Sequence, residues 1–457
     1  MSYGTGAQLS KDKNIILWTG LAIAVFLPFM PMSVMSPLLI LLFGVATGII
    51  VISIFAPDDF NFLSNVYFAG FGIRVFLAFF FYILSFILRG DFSPGFLFDN
   101  DGWPYSQQGW EICKFAGRGI KVTMDTFMRD PNMRIWGSSG NITAYDFFAS
   151  HIYSITGYSP LSLFFISSLA GSIAGLFIYL IANKLFSKNV ARISACFAFF
   201  WPSFIMWSTQ NLKESMIAMF VFILLWAIFS MRSHHYAPFL FLCLTCLWVL
   251  FKINFTMFFI VILSIFFAGL FLFTSRLLKG RFAAVVVMSI LAVLAIIFLK
   301  GSVISFISNK SKYNIASYNS IFDFLQYHRD VRAYGNLQFF KGANISSPFR
   351  VIFFAPLGLL YAIFAPFPWQ LGNIMQIMAV PETILFYALF PSTVKGVIFA
   401  FKKRFGQSLL ILSIVSFGLF FLALVEGNSG TLFRHRAVIF YLILIFTAVG
   451  MTLKNET

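Results

Sequence analysis

The stretch PLSLFFISSLAGSIAGLFIYLIANKLFSKNVAR, residues 160–192, determines the fold class. Residues 160–182 carry no charged side chain, and a helix needs about 20 apolar residues to cross the hydrocarbon core of a bilayer. Lys184, Lys188 and Arg192 follow in a short polar turn, and a second apolar run begins at residue 193. An apolar run that ends in a short basic turn predicts a membrane-spanning helix.

The same alternation continues along the whole chain. Of all residues in the sequence, 60% are hydrophobic and 11% are charged, whereas about a quarter of the residues in a soluble domain are charged. These features predict an all-α, polytopic transmembrane bundle of about twelve spans, forming a single integral membrane domain over residues 1–457. The predicted spans are 14–31, 37–56, 66–88, 160–182, 193–208, 215–231, 237–252, 255–275, 282–299, 382–400, 408–425 and 437–453.

One apolar segment, 350–367, is interrupted by Pro356, Pro366 and Pro368. Proline removes a helical hydrogen bond, so this segment does not fit a simple span. Three interpretations remain open: a re-entrant hairpin, a segment lying in the membrane plane, or part of an extra pair of crossings.

The distribution of Lys and Arg predicts the orientation. Lys11, Lys13 and Lys454 place both termini in the cytoplasm, since positively charged loops stay on that side. We therefore expect a multi-pass protein of the cell inner (plasma) membrane. The segments 89–160, with amphipathic helices, and 300–350 are then long extracytoplasmic loops. The net charge of +16 is carried by short loops that meet lipid headgroups, so nucleic-acid binding is not expected.

The first outer loop reads RGDFSPGFLFDNDGWPYSQQGWEICK and mixes acidic with aromatic side chains. A carboxylate at the membrane rim can accept a proton from an acceptor hydroxyl, and Asp101 and Asp99 are the catalytic candidates. Trp103, Tyr105 and Glu111 are candidates for substrate binding, because flat aromatic faces suit sugar rings. The alternative is a polar helix that lies on the bilayer surface. No metal-ligand motif is present, although a divalent cation would suit these carboxylates.

The last outer loop reads LVEGNSGTLFRHRAVIF, residues 424–440. Arg434, His435 and Arg436 are predicted to bind a donor phosphate, since arginine grips phosphate with two parallel hydrogen bonds. The turn from Asn428 to Thr431 would bring backbone N–H groups toward the same anion. The alternative is a rim cluster that binds lipid headgroups.

Two further positions are candidates. Lys213 and Glu214 lie between two apolar runs, and charges so near a span are costly and often functional. We assign Lys213 to donor phosphate and Glu214 to substrate, with a hydrated turn that caps the next helix as the alternative. His328, in the second outer loop, is a candidate substrate contact, although a lone loop histidine is more often neither acid nor base.

The sequence lacks the motifs that are typical of several classes of protein. The sequence has no GxxxxGK(S/T), no HExxH and no GxSxG, which excludes a recognisable ATP-driven motor, zinc protease or serine hydrolase. The predicted spans carry few ionisable residues, with Arg74 as the main exception. An ion-coupled carrier usually buries several carboxylates near the midplane, so a carrier is disfavoured.

The stretch SLAGSIAGLFIYLIANKLFSKNVARISACFAFFWPSFIMWSTQNLKES, residues 168–215, resembles the type C glycosyltransferase superfamily near the family 39 protein mannosyltransferases. It shows a small-residue helix, an inner basic turn and a proline-containing helix, and the resemblance extends over about residues 66–235. It implies a polyprenyl-phosphate-linked sugar donor, inverting transfer and an acceptor bound on the outer face. The acidic loop follows the third span here, whereas the family commonly places it after the first.

Three hypotheses follow. The first is a membrane glycosyltransferase that uses a polyprenyl-phosphate-linked sugar and a glycan or lipid-linked acceptor, in surface polysaccharide or glycan assembly. The second is a repeat-unit polysaccharide polymerase with a polyprenyl-diphosphate donor, and the third is a transporter of a lipid-linked solute. Under the first hypothesis we expect the turns at Asp99–Asp101 and Arg434–Arg436 to converge on one outer cavity.

Overall fold

The protein is helical throughout the part of the chain that the computed structural model describes, residues 31–89, 101–119, 142–231, 236–281, 285, 287, 321–333, 338–370 and 374–453. Sixteen α-helices occur there, and the only pairing of extended backbone in these ranges is an isolated bridge between Gln338 and Asn428. In chain order the helices are α1 (Met32–Phe55), α2 (Phe60–Arg89), α3 (Gly102–Gly117), α4 (Ala144–Thr156), α5 (Pro160–Leu185), α6 (Lys188–Phe200), α7 (Pro202–Ser208), α8 (Glu214–Ser230), α9 (Tyr236–Ile253), α10 (Phe255–Leu277), α11 (Ile321–Arg332), α12 (Pro348–Phe364), α13 (Ile374–Lys403), α14 (Phe405–Val425), α15 (Ser429–His435) and α16 (Ala437–Thr452).

The helix lengths confirm the prediction of an all-α polytopic protein. Among the described residues, seven helices are long and apolar enough to cross a membrane, and the number rises to nine if two bent helix pairs each form one span. Helices α8 and α12 are also apolar, but they are shorter than the helices in this count. The predicted span 14–31 lies almost entirely, and the predicted span 282–299 mostly, outside the described residues. The orientation in the membrane stays a prediction.

The chain divides into two compact units. Unit 1 contains residues 1–50 and 75–166, and unit 2 contains residues 51–74 and 167–457. In unit 1, α3 packs closely on α4, since a side chain at Gly109 would clash with Ala149. The tyrosine-rich contact between these helices includes a short hydrogen bond that joins the Ser106 and Tyr153 hydroxyls. The first predicted outer loop therefore contains two packed helices.

One predicted span of unit 2 is a broken helix, and another begins at a bend. The predicted span 193–208 consists of α6 and α7, which meet at a 53° bend next to Pro202. The predicted span 437–453 corresponds to α16, which meets α15 at a 60° bend. Pro202 has no N–H, so the carbonyl of Ala198, four residues earlier, loses its helical donor.

Arg74, the charged residue inside a predicted span, supplies the missing donor. Its Nη2 donates to the Ala198 carbonyl at 3.0 Å, and its Nη1 donates to the Phe199 carbonyl at 2.8 Å. Its Nε donates to the Ser208 hydroxyl at 2.8 Å, and the side chain is fully buried. Because apolar surroundings offer no water to unpaired backbone groups, Arg74 completes the hydrogen bonding of the broken helix.

A carboxylate on α13 satisfies the other side of the same break. Both oxygens of Glu382 accept hydrogen bonds from Ser203, one from its backbone N–H at 2.6 Å and one from its hydroxyl at 2.9 Å. The backbone N–H groups in the first turn of α7 have no acceptor within the helix, as in the first turn of any helix. The α6–α7 break is thus held by a cation on one side and an anion on the other.

Helix α12 begins at one end of unit 2 and ends beside the middle of α13. Its first half packs on Leu424 and Val425, next to the end of unit 2 that carries Glu426. We call this the outer end, because the sequence predicts it to be extracytoplasmic. Phe364, where α12 ends, packs on Phe386 of α13, whereas Gln376 near the start of α13 donates to the Ser429 hydroxyl at the outer end.

These contacts bear on the three interpretations of 350–367. Ten residues of helix separate Gln376 from Phe386, which corresponds to about 15 Å along the α13 axis. The C-terminal end of α12 therefore lies about 15 Å farther from the outer end than Gln376 does. The geometry matches the re-entrant interpretation.

The Arg74 contacts predict that the stability lost on replacing Arg74 depends on the presence of Pro202. Arg74→Met should lower the free energy of unfolding by about 3 kcal/mol, because buried carbonyls are left without a donor. In a Pro202→Ala background the restored N–H can donate to Ala198, so the same change should cost less. Unfolding in detergent measures both, with the exposed Arg404→Met as the control that should change little. An equal cost in both backgrounds would contradict this account of Arg74.

Candidate functional site

Five ionisable side chains meet at the outer end of unit 2. They come from four separate parts of the chain and are brought together by α8, α11, α15 and the residue that follows α14. We call them the charge cluster: Glu214, Arg332, Glu426, Arg434 and His435.

Glu426 lies at the centre of the charge cluster and is completely buried. Its Oε1 accepts from Arg332 Nη1 at 2.5 Å and from His435 Nδ1 at 2.8 Å, and its Oε2 accepts from the Thr431 hydroxyl at 3.0 Å. Burial alone would raise the pKa of this carboxyl, but Arg332 and His435 outweigh it and lower the pKa to about 2. Glu426 is therefore ionised at neutral pH.

Glu214 and Arg434 form the second ion pair of the charge cluster. Arg434 Nε lies 3.1 Å from Glu214 Oε1, and the two side chains are 8% and 6% exposed. The other carboxylate oxygen, Oε2, has no hydrogen-bond partner among the described residues. The alternative interpretation of Glu214, a hydrated turn, does not fit its burial: this carboxylate starts α8 inside the protein, paired with an arginine more than 200 residues away along the chain.

Arg436 is oriented away from the charge cluster. Its Nη1 donates to the carbonyls of Ala362 and Ile363 at 3.3 and 3.2 Å, and its guanidinium lies against the Phe440 ring at 4.4 Å. The carbonyl of Ala362 has no helical donor, because residue 366 is proline. Arg436 thus donates hydrogen bonds to free carbonyls at the end of α12, as Arg74 does at the end of α6. The predicted contact of Arg436 with a donor phosphate stays a prediction.

The turn that precedes α15 uses its own backbone donors. The N–H groups of Gly430 and Thr431 donate to the Asn428 side chain at 2.8 and 3.4 Å. The expectation that these amides face an anion is therefore incorrect, because an ordinary helix cap already satisfies them.

Two other predicted site residues, Lys213 and His328, lie close in sequence to members of the charge cluster. Lys213 occupies the N-cap position of α8, directly before Glu214. His328 is buried on α11 with its ring 4.2 Å from the Phe324 ring. Burial, followed by the charge of Arg332, lowers the pKa of His328 to about 4, so this ring is neutral at pH 7. Whether either residue contacts substrate stays a prediction.

The acidic loop candidates belong to unit 1. Asp101 occupies the N-cap position of α3, and Trp103 lies in its first turn. The Tyr105 ring packs against Tyr145 at 5.0 Å, and Glu111 pairs with Lys114 at 2.7 Å on a partly exposed face. Asp99 lies outside the described residues. The expected convergence of this loop with the Arg434–Arg436 turn therefore stays a prediction.

Sequence reasoning singled out three members of the charge cluster, Glu214, Arg434 and His435, but missed two relationships. It did not foresee that Glu426 orients His435, since the two are separated by the whole α15 turn. It also missed Glu382, which follows Pro381 at the edge of a predicted span. A carboxylate next to a proline at that position was the available signal. Within the described ranges, no group of three or more His, Cys, Asp or Glu residues is arranged to hold a metal ion.

The Glu214–Arg434 contact predicts strong energetic coupling. Glu214→Gln and Arg434→Gln should each cost about 3 kcal/mol, because each leaves the other charge buried without its partner. The double variant should cost much less than the sum of the two. The exposed pair Glu111 and Lys114 is the matched control, with coupling below about 1 kcal/mol. Additive costs at Glu214 and Arg434 would show that they do not form a pair.

Comparison with known proteins gives one family match, which covers part of the chain. Residues 143–299 match the family model of the dolichyl-phosphate-mannose-protein mannosyltransferases. The matched segment contains α5, the α6–α7 break and Glu214 of the charge cluster. No curated protein and no solved structure matches the chain significantly. The family match confirms the resemblance to the type C superfamily and supports a membrane glycosyltransferase that uses a polyprenyl-phosphate-linked sugar as its donor.

Proposed function

We propose that the protein transfers a sugar from a polyprenyl-phosphate donor to a glycan or lipid-linked acceptor on the extracytoplasmic face, in surface polysaccharide or glycan assembly. The observation that carries the proposal is the charge cluster. It joins Glu214, from the family-matched segment, to Arg434 and His435 from the C-terminal helices. An anionic lipid headgroup would meet these residues at the predicted membrane rim.

The charge balance of the cluster suits a phosphate that gains charge during transfer. Two carboxylates offset two guanidiniums, so the protonation state of His435 decides whether the cluster is neutral or carries one positive charge. When the bond to the sugar breaks, the phosphate acquires an additional negative charge. Cationic donors held in place before the reaction stabilise such a charge without reorganisation. Arg434 is the residue that we assign to this role.

The acceptor hydroxyl must lose a proton during the same reaction. We assign that proton to Asp101 or Asp99, with Trp103 and Tyr105 stacking on sugar rings and Glu111 hydrogen bonding to them. Asp101 is favoured, because it directly precedes α3, whose start fixes the direction of the chain. A carboxylate that acts as a base must come within about 2.6–3.2 Å of the hydroxyl.

The buried charges elsewhere in unit 2 argue against a carrier. Arg74 and Glu382 each have fixed hydrogen-bond partners at a helix break, as described above. A carrier needs membrane-embedded ionisable groups that exchange partners as the transported solute or ion binds and leaves. These groups are instead part of the framework.

Transfer activity tests the proposal directly. Purified protein in detergent or vesicles is incubated with candidate polyprenyl-monophosphate and polyprenyl-diphosphate sugars, and released polyprenyl phosphate or diphosphate is measured. We expect release from a monophosphate donor, whereas release only from a diphosphate oligosaccharide would identify a polymerase. No release from any lipid-linked sugar, together with movement of the intact lipid across vesicles, would identify a transporter.

Arg434 variants test the phosphate assignment. Arg434→Gln combined with Glu214→Gln removes the ion pair without leaving a buried charge, and it should reduce kcat about a hundredfold. Arg434→Lys should reduce kcat by a smaller factor, since lysine keeps the positive charge but lacks the planar guanidinium that forms two parallel hydrogen bonds. Arg404→Ala, at the far end of α14 and exposed, is the control with normal turnover. Normal turnover in the double variant would remove Arg434 from the reaction.

Asp99→Asn and Asp101→Asn should differ sharply from one another. Asparagine keeps the size of the side chain but cannot accept the proton, so only the variant at the true base should lose most of its kcat. Turnover assays with equal amounts of folded protein measure the difference. Near-normal turnover in both variants would move the base elsewhere, and a loss in both that depends on added divalent cation would identify a metal site.

A further inference from the structure

We propose that His435, oriented by Glu426, is the general acid that protonates the leaving phosphate, an inference that rests on the proposed function. The reason is that the two side chains form a carboxylate–imidazole pair at the outer end, with one ring nitrogen committed to the carboxylate and the other directed to Arg434.

The carboxylate fixes which nitrogen is available. Glu426 Oε1 lies 2.8 Å from His435 Nδ1, and the buried, ionised carboxylate can only accept a hydrogen bond. Nδ1 therefore carries a hydrogen, and Nε2 is the nitrogen that can exchange a proton. Arg332 and Thr431 hold Glu426 from two further directions, so the ring orientation is set by three elements of the fold.

The surroundings of Nε2 suit an anion. Arg434 Nη2, which can only donate, lies 3.4 Å from Nε2, so Nε2 accepts in this arrangement, and Glu214 Oε1 lies 4.0 Å away on the side where a proton on Nε2 would face a carboxylate. The His435 side chain is 27% exposed, whereas those of Arg434 and Glu214 are 8% and 6% exposed. The His435 ring is thus the most accessible of these three side chains to an approaching phosphate. The charged groups that face the ring are Glu426, Glu214 and Arg434, with Arg332 behind Glu426.

The chemistry of the leaving group matches an imidazole. A polyprenyl-phosphate sugar is a phosphodiester with one negative charge. As the acceptor oxygen bonds to the anomeric carbon, the bond from that carbon to the phosphate oxygen breaks and its electron pair stays on the phosphate. The resulting phosphate monoester dianion takes up one proton near pH 6, so it is basic enough to accept a proton from a positioned acid.

The proton balance of the step is complete. The acceptor hydroxyl gives its proton to the loop carboxylate, and protonated His435 gives its Nε2 proton to the phosphate oxygen. The product leaves as a singly charged polyprenyl phosphate, and His435 stays bonded to Glu426 through Nδ1. His435 then regains a proton from solvent, which its partial exposure permits, and the loop carboxylate releases the acceptor proton to solvent.

The competing explanation is that His435 only attaches α15 to Glu426. His435→Asn separates the two roles, because its amide N–H can replace Nδ1–H toward Glu426 but offers no group that releases a proton. We expect kcat to fall about a hundredfold or more while KM changes little. The decline of kcat at alkaline pH, which reports loss of the acid, should disappear in this variant. Binding of polyprenyl phosphate, measured as a rise in Tm, should persist.

Glu426→Gln tests the orienting role. The variant should keep some activity, and its alkaline decline should move to lower pH, because a neutral amide stabilises the protonated ring less than a carboxylate does. His151→Asn, an exposed histidine on α4, is the matched control and should leave the pH profile unchanged.

The outcomes separate the two proposals. An inactive wild-type protein with every lipid-linked sugar would overturn the proposed function. Active wild-type protein, with His435→Asn showing the same kcat and the same alkaline decline, would overturn the acid assignment alone. Loss of activity with the alkaline decline still present would show that His435 is only structural.

Discussion

The structure depends on how hydrogen bonds are completed where helices break within the bundle. Breaks at Pro202 and Pro366 leave backbone groups that neither their own helix nor water can satisfy. Buried charges complete them: Arg74 serves the end of α6 and Arg436 serves the end of α12. Glu382 binds the start of α7 and lies close enough to Arg436 for the two charges to interact. Charged side chains that first suggest chemistry therefore hold the framework.

This framework positions the residues that we assign to the reaction. Arg436 stands at the bend between α15 and α16 and is anchored to α12. Arg434 and His435 precede it directly, so the same bend directs them to Glu214 and Glu426. Two ion pairs then share one small volume at the outer end. A site of this kind gains its strength from burial, because charges interact more strongly where water is scarce.

Much of the fold could be predicted from the sequence, since spans are recognised by their length and polar loops by their charges. The helix breaks were less accessible, because Pro202 interrupts a run that is apolar throughout. The pairing of Glu214 with Arg434 joins positions far apart in the chain, and no local pattern encodes it. The opposite orientations of Arg434 and Arg436 were also hidden, since both arginines looked equally suited to phosphate. Only the α12 carbonyls distinguish them.

The most direct test of the central claim is an experimental structure of the protein with polyprenyl phosphate bound. The account predicts the phosphate at the outer end of unit 2, within about 3 Å of the Arg434 guanidinium and of His435 Nε2, as charge-assisted hydrogen bonds require. The Glu426–His435 contact should remain in place. A phosphate bound elsewhere, with Arg434 still paired to Glu214, would contradict the assignment of the charge cluster to the donor.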